Sequence, residues 1–177
     1  MVREAALFAQ KAHEGKMRKG TSIPYIVHPL ETAVIVSGIT DDEDVIAAAL
    51  LHDVIEDAGV TYECLKEKFG VRVADLVQAE SEDKSKTWYE RKSATIRHLR
   101  TAPREVKIIC LGDKLSNLRS TASSQLLMGD GVWERFREKD KKKHEWYYRG
   151  VLENLKELEE FPAYEECRAL LERVFGE

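Results

Sequence analysis

The stretch ALLHDVIEDAG, residues 49–59, sets His52, Asp53, Glu56 and Asp57 into an otherwise apolar run. Around it, Val45, Ile46, Ala47, Ala48, Ala49, Leu50, Leu51, Val54 and Ile55 are apolar on nearly every side, the pattern of a helix buried all round. At about 100° per residue, His52 and Glu56 share one face, Asp53 and Asp57 lie beside them, and all four fall within an arc of about 140°. The three acids crowd the end of the run, where a helix terminus carries partial negative charge and favours cations. Carboxylates in such a setting are costly unless paired or bound to metal, and a divalent cation would offset both penalties. A lone His-Asp pair recurs by chance, however, and acids at a helix end are ordinarily solvated. These four residues alone therefore leave a solvated end and a metal site both open.

Outward from this stretch, apolar residues recur at helical spacing almost throughout and strand signals are nearly absent. The spacing predicts helices near 2–15, 29–38, 42–57, 61–69, 71–81, 87–101, 104–123, 144–160 and 163–175. Pro29 suits a first helical turn, Thr61 an N-cap, and Pro103 and Pro162 mark breaks. The expectation is an all-α protein of about eight to ten helices forming one compact domain over 1–177. Two connections read as loose: EGKMRKGTSIPY (14–25), which is basic, and SEDKSKTWYERK (81–92), placed to overhang a pocket. The charged run REKDKKKHE (137–145) reads as a solvated helix end.

The chain has 177 residues, 43% hydrophobic and 34% charged, an ordinary globular composition. A net charge of −4 argues against a general nucleic-acid-binding protein. Cys64, Cys110 and Cys167 are widely spaced and form no CxxC, which reads as buried free thiols in a reducing compartment. No apolar leader and no 18-residue apolar run is present, so the expectation is a cytoplasmic chain without membrane contact.

Further metal ligands must come from elsewhere, and two candidates fit. His28, in PYIVHPLETAV, precedes a proline and a new apolar helix. Asp113, in VKIICLGDKLSNLRS, shares a polar stripe with Ser116, Asn117 and Ser120, spaced 0, 3, 4 and 7 on an otherwise apolar helix. Such a stripe lines a site more readily than it forms a surface.

The ordered set His28, His52-Asp53, Asp113 resembles the H…HD…D signature of the HD-domain metal-dependent phosphohydrolases. RKGTSIPYIVHP, ALLHDVIED and LGDKLSNLRS narrow this, since they resemble the hydrolase domain of the RelA/SpoT alarmone enzymes and their small stand-alone relatives. The resemblance implies an all-helical HD fold with core motifs over 13–125 and a helical cover over 126–177. It implies one divalent ion, Mn²⁺ foremost, held by His28, His52, Asp53 and Asp113, and removal of the 3′-pyrophosphate from guanosine tetra- or pentaphosphate. Glu56 and Asp57 match the family's acidic pair that orients water and moves protons. Arg18, Lys19, Asn117 and Ser120 match positions that contact the nucleotide. A His/carboxylate donor set suits Mn²⁺, Fe²⁺ or Zn²⁺ better than an all-oxygen Mg²⁺ or Ca²⁺ site.

Ala58 stands where the family often has Thr, and 79–92 lacks the glycine-valine-threonine-lysine segment of the bifunctional enzymes. The remaining residues leave no room for a synthetase domain. These departures keep two other readings open: an HD hydrolase of another phosphorylated nucleotide (a nicotinamide dinucleotide phosphate or a deoxynucleotide), and a non-catalytic nucleotide-binding regulator. His13 reads as a polar contact ordering the basic loop, while His98 and His144 read as solvated. Trp88, Trp133, Trp146, Tyr147 and Tyr148 read as core rather than a base-stacking platform. The C-terminal helices carry no assignable chemistry.

Overall fold

The computed structural model describes residues 1–176. Its elements run α1 (Val2–Ala12), α2 (Val27–Ser37), α3 (Glu43–Leu51), α4 (Val54–Ala58), α5 (Tyr62–Phe69), α6 (Val71–Glu80), α7 (Trp88–Leu99), α8 (Arg104–Met128), α9 (Lys141–Asn154) and α10 (Pro162–Phe175). Short 3₁₀ turns cover Gly129–Arg135 and Lys156–Leu158. The fold is all-α, and no strand occurs among the described residues; Met17 and Pro24 make only an isolated bridge that pins the basic loop. No helix among these residues is long and apolar enough to cross a membrane.

The long α8 is the axis on which the other elements pack, with α2, α3, α6 and α10 against it. Its stretch Val106–Leu111 is buried and apolar except for Lys107, whose ammonium pairs with Glu157 at 2.6 Å. Gly112, next to Asp113, lets α2 approach: a Cβ there would sit 2.9 Å from Val36 Cγ2 and 3.1 Å from the Thr32 carbonyl oxygen. Thr32 lies one turn beyond His28, so this contact sets the two metal-motif helices in register. Gly112→Ala should cost about 1–3 kcal/mol through overpacking, read as a lower melting temperature.

The single helix expected over 42–57 is two. The α-helical run stops at Leu51, His52 and Asp53 form a turn, and α4 resumes at Val54. Asp53 becomes the N-cap of α4 but makes no side-chain capping bond, which leaves its carboxylate available to the site. Glu56 and Asp57 then fall in the first turn of the five-residue α4, near its amino end, which eases the charge conflict of an unbroken helix.

Other boundaries shift for local reasons. α1 ends at Ala12, before Gly15 at φ +74°. α8 runs on to Met128 because no breaker precedes Gly129, which stops it at φ +57°. α9 begins at Lys141, where Asp140 accepts a hydrogen bond from the Lys142 amide, and it ends at Asn154 rather than 160. The Thr61 cap holds, as do Pro103 and Pro162 at the starts of α8 and α10. Cys110 and Cys167 are buried thiols, but Cys64 is exposed on the short α5.

Candidate metal centre

His28 projects from the first turn of α2, His52 from the break after α3, and Asp113 from the middle of α8, all at 8% exposure or less. One ligand atom from each lies within 4.8 Å of the other two. Asp53 joins on the imidazole side, its Oδ2 3.0 Å from His52 Nε2 and 3.6 Å from His28 Nε2. The two Nε2 atoms are 3.2 Å apart, and Asp113 Oδ1 lies 3.1 Å from that of His28 and 3.7 Å from that of His52. Donors about 2.1 Å from a common ion would be separated by roughly 3.0–3.4 Å at right or tetrahedral angles. The 3.0, 3.1 and 3.2 Å spacings fall in that range and the 3.6 and 3.7 Å ones just above it, an arrangement that suits a shared divalent ion.

The outward nitrogens are committed. His52 Nδ1 lies 2.8 Å from the Ala49 carbonyl oxygen, which can only accept, so Nδ1 carries a proton. His28 Nδ1 lies 2.8 Å from Ser116 Oγ. Burial lowers the affinity of His28 for a second proton, against the pull of Asp113. Burial acts the same way on His52, but the Asp53 and Asp113 carboxylates outweigh it and push its pKa up to about 10. The same environment holds Asp113 well below the usual carboxylate range: burial opposes ionisation, and Lys114 and the two imidazoles overcome it. Without metal, then, a proton on His52 supplies the positive charge this cluster requires. A metal ion must displace that proton, so binding should release protons and tighten as pH rises from about 6 to 8. Calorimetric titration in buffers of different ionisation enthalpy measures this directly; affinity independent of pH would refute it.

The cluster forms the floor of a cleft of about 280 Å³. Glu56 and Asp57 line it, Glu56 half-buried and Asp57 at the rim. Lys84 bridges them, 2.5 Å from Asp57 Oδ1 and 3.7 Å from Glu56 Oε1, and the Glu82 amide donates to Glu56 Oε2 at 3.3 Å. Burial first, then the neighbouring acids Glu82, Asp53 and Asp57, raises the pKa of Glu56. Arg18 and Lys19 also line the cleft, and Arg18 Nη2 donates to Asn117 Oδ1 at 3.1 Å. Asn117 in turn donates to Asp113 Oδ1 at 2.5 Å, which ties the basic loop to a metal-motif side chain. Ser120 lines the same wall one turn further along α8. All ten sequence-expected residues are thus brought to one cleft.

Several cleft residues escaped sequence reasoning. Tyr25 donates its hydroxyl to Asp53 Oδ2 at 2.6 Å and approaches Asp57 at 3.4 Å; its only signal was its place in the PYIVHP segment. Lys114 pairs with Asp113, and its position beside an acid on a buried helix was the available clue. Arg135, Phe136, His144, Tyr147 and Tyr148 also line the cleft, so the residues after 125 do contribute to it. His144 is buried, not solvated: its Nε2 donates to the Glu138 carbonyl at 2.8 Å, and Trp88, Trp133 and Phe136 surround its ring. His98 is exposed as expected. The aromatics divide. Trp133 and Tyr147 are core, Trp88 and Tyr148 are half-buried in the cleft wall, and Trp146 stacks on Tyr89 at the surface. His13 is buried, but its ring nitrogens make no hydrogen bond among the described residues. It packs on the Tyr25 ring at 4.8 Å instead of making a polar contact.

Glu80, at the end of α6, is a further cleft carboxyl, and burial first of all raises its pKa from 4.5 to about 7. Its ionisation therefore costs the folded state nothing below the unfolded value, and the cost is complete above the folded one. Glu80→Gln should leave the stability of metal-free protein unchanged near pH 4 and raise it by on the order of 1–2 kcal/mol near pH 8. Thermal melts at the two pH values check this.

Residues 5–128 match the family model described as HD domain. The chain belongs to the HD-domain family. An HD-domain chain with this His/His/Asp cluster carries a divalent metal site. It is 41% identical over 123 residues to the Xenopus tropicalis protein named guanosine-3′,5′-bis(diphosphate) 3′-pyrophosphohydrolase MESH1, covering 67% of this chain and 68% of that one. To the Aquifex aeolicus protein named guanosine-3′,5′-bis(diphosphate) 3′-pyrophosphohydrolase it is 36% identical over 122 residues, covering 67% of this chain but only 17% of that one. The solved structure of a metazoan ortholog of SpoT that hydrolyzes ppGpp superposes with a TM-score of 0.78 at 27% identity, over 98% of this chain and 93% of that one.

Proposed function

We propose that the chain is a metal-dependent guanosine 3′,5′-bis(diphosphate) 3′-pyrophosphohydrolase, acting on a small nucleotide with Mn²⁺ held by His28, His52, Asp53 and Asp113. The observation that carries the reading is the cleft itself, which brings a divalent-metal donor set, the acidic pair Glu56 and Asp57 and the basic pair Arg18 and Lys19 together in one lining. The relatives' names supply the nucleotide.

When bound there, a divalent ion acidifies a water and polarises a phosphoryl oxygen. The chain's own groups do the rest. Tyr25 holds Asp53 through its inward oxygen, and Asn117 holds Asp113. Glu56, whose proton affinity is raised by burial, takes up and returns a proton at its carboxyl, while Lys84 keeps Asp57 beside it. The Arg18 guanidinium stacks on the base or meets phosphate, and Lys19 meets phosphate. Asn117 and Ser120 offer hydrogen bonds to sugar and phosphate from α8. The described residues beyond 125 act as a cover that completes the wall with Arg135 and Tyr148.

Arg18→Ala should raise KM more than it lowers kcat, as when mainly ground-state binding is removed. An equal loss in kcat and kcat/KM, with KM unchanged, would move Arg18 into the chemistry. The assignment of the nucleotide is tested by turnover of a nucleotide panel by purified protein with Mn²⁺. Faster breakdown of a nicotinamide dinucleotide phosphate or a deoxynucleotide would replace the substrate, and no turnover of any member would favour a binding regulator.

A further inference from the structure

The metal-motif histidines are oriented by two different devices. His52 uses a backbone carbonyl, which is always an acceptor. His28 uses Ser116 Oγ, and a hydroxyl can either donate or accept, so by itself it leaves the imidazole tautomer undetermined. Glu31 resolves this. Its Oε2 accepts the Ser116 hydroxyl proton at 2.7 Å, and with that proton committed Oγ can only accept from His28 Nδ1–H. Nε2 is then the bare nitrogen, facing Asp113 and His52.

Glu31 is itself held from outside. Arg119 Nη1 donates to Glu31 Oε1 at 3.1 Å, leaving Oε2 for Ser116. The same guanidinium grips Glu166 of α10 through Nε and Nη2, both at 2.7 Å. Arg119, Glu31 and Glu166 are each about 33–42% exposed, so as ion pairs they contribute little to stability. What they define is a direction, from the last helix through α8 and α2 to the imidazole. Residues beyond 128 lie outside the HD family match, yet α10 packs closely on α8 and ends this chain of bonds.

We propose that Ser116 and Glu31 are positioning residues that fix His28 in the Nδ1–H tautomer for metal binding. Arg119 and Glu166 keep Glu31 aimed, so the C-terminal helix belongs to the metal centre. The inference rests on the reading of His28 as a metal ligand. Outer partners of ligating histidines typically govern 10–100-fold in metal affinity.

Two variants and two readouts test this. Ser116→Ala removes the acceptor, and Glu31→Gln, at a half-exposed position, removes the charge and lets an amide N–H donate to Oγ instead. In metal-free protein, ¹⁵N chemical shifts of the ring should report Nδ1–H at His28 in the wild type and a shift toward the Nε2–H tautomer in both variants. Calorimetric titration with Mn²⁺ should show affinity down about 10–100-fold in Ser116→Ala and by a smaller factor in Glu31→Gln. Glu31→Asp, which keeps the charge, should recover part of the loss, which a purely structural role would not require. Unchanged His28 shifts or wild-type Mn²⁺ affinity in both variants overturns the relay. Wild-type protein that binds no Mn²⁺ while showing the expected tautomer overturns the ligand reading instead and leaves the hydrogen-bond device standing.

Discussion

Asp113→Ala should abolish tight Mn²⁺ binding and the turnover that depends on it. The side chain is the α8 donor in the cluster, within 3.1–3.7 Å of both imidazole nitrogens, and Asn117 aims it from one turn away. Its loss also strands Lys114, whose ammonium pairs with it and is otherwise faced by the Tyr147 ring at 5.5 Å. Metal-free variant should therefore be less stable by on the order of 1–3 kcal/mol, because a buried charge has lost its partner. Wild-type protein at about one hundred times the metal Kd gains roughly 2.7 kcal/mol by linkage, and the variant should gain none. Asp113→Asn keeps the shape and separates the lost charge from the lost volume. Metal analysis showing unchanged stoichiometry and affinity in Asp113→Ala would remove Asp113 from the site.

Glu56→Gln and Asp57→Asn should retain the metal and lose turnover, each by on the order of 10²-fold or more, the usual scale of general acid–base catalysis. Neither residue belongs to the close donor cluster. Glu56 is held by Lys84 and the Glu82 amide in a half-buried site that raises its proton affinity, and Asp57 is held by Lys84 at the rim. That arrangement suits proton transfer rather than ligation. Loss of Mn²⁺ in either variant would make the acid a ligand, and full activity in both would remove the pair from the mechanism.

The helical character of the fold was legible because apolar spacing is a local property, and the buried α3 and α8 carry it strongly. The metal-motif residues were legible because two imidazoles and two carboxylates inside apolar runs are costly to bury without a shared cation, and the family resemblance ordered them. What the sequence hid was mostly tertiary. The break at His52-Asp53 has no glycine or proline to announce it, so a continuous helix was the natural reading of 42–57. His144 looked solvated among lysines, yet a turn after Phe136 folds it under three aromatic rings. The Ser116–Glu31–Arg119–Glu166 chain joins residues up to 88 positions apart, and Ser116 showed only as one member of a polar stripe. Tyr25, just ahead of α2, and Glu80, at the end of α6, likewise reach the cleft only through tertiary packing.

The claim at the centre is cleavage of guanosine 3′,5′-bis(diphosphate) at its 3′ end in this cleft. Incubation with Mn²⁺ followed by anion-exchange chromatography identifies the products. The account predicts guanosine 5′-diphosphate and pyrophosphate in equal amounts, absent from a parallel reaction with Asp113→Ala. Intact substrate alongside rapid breakdown of another nucleotide, or release of inorganic phosphate in place of pyrophosphate, would contradict it.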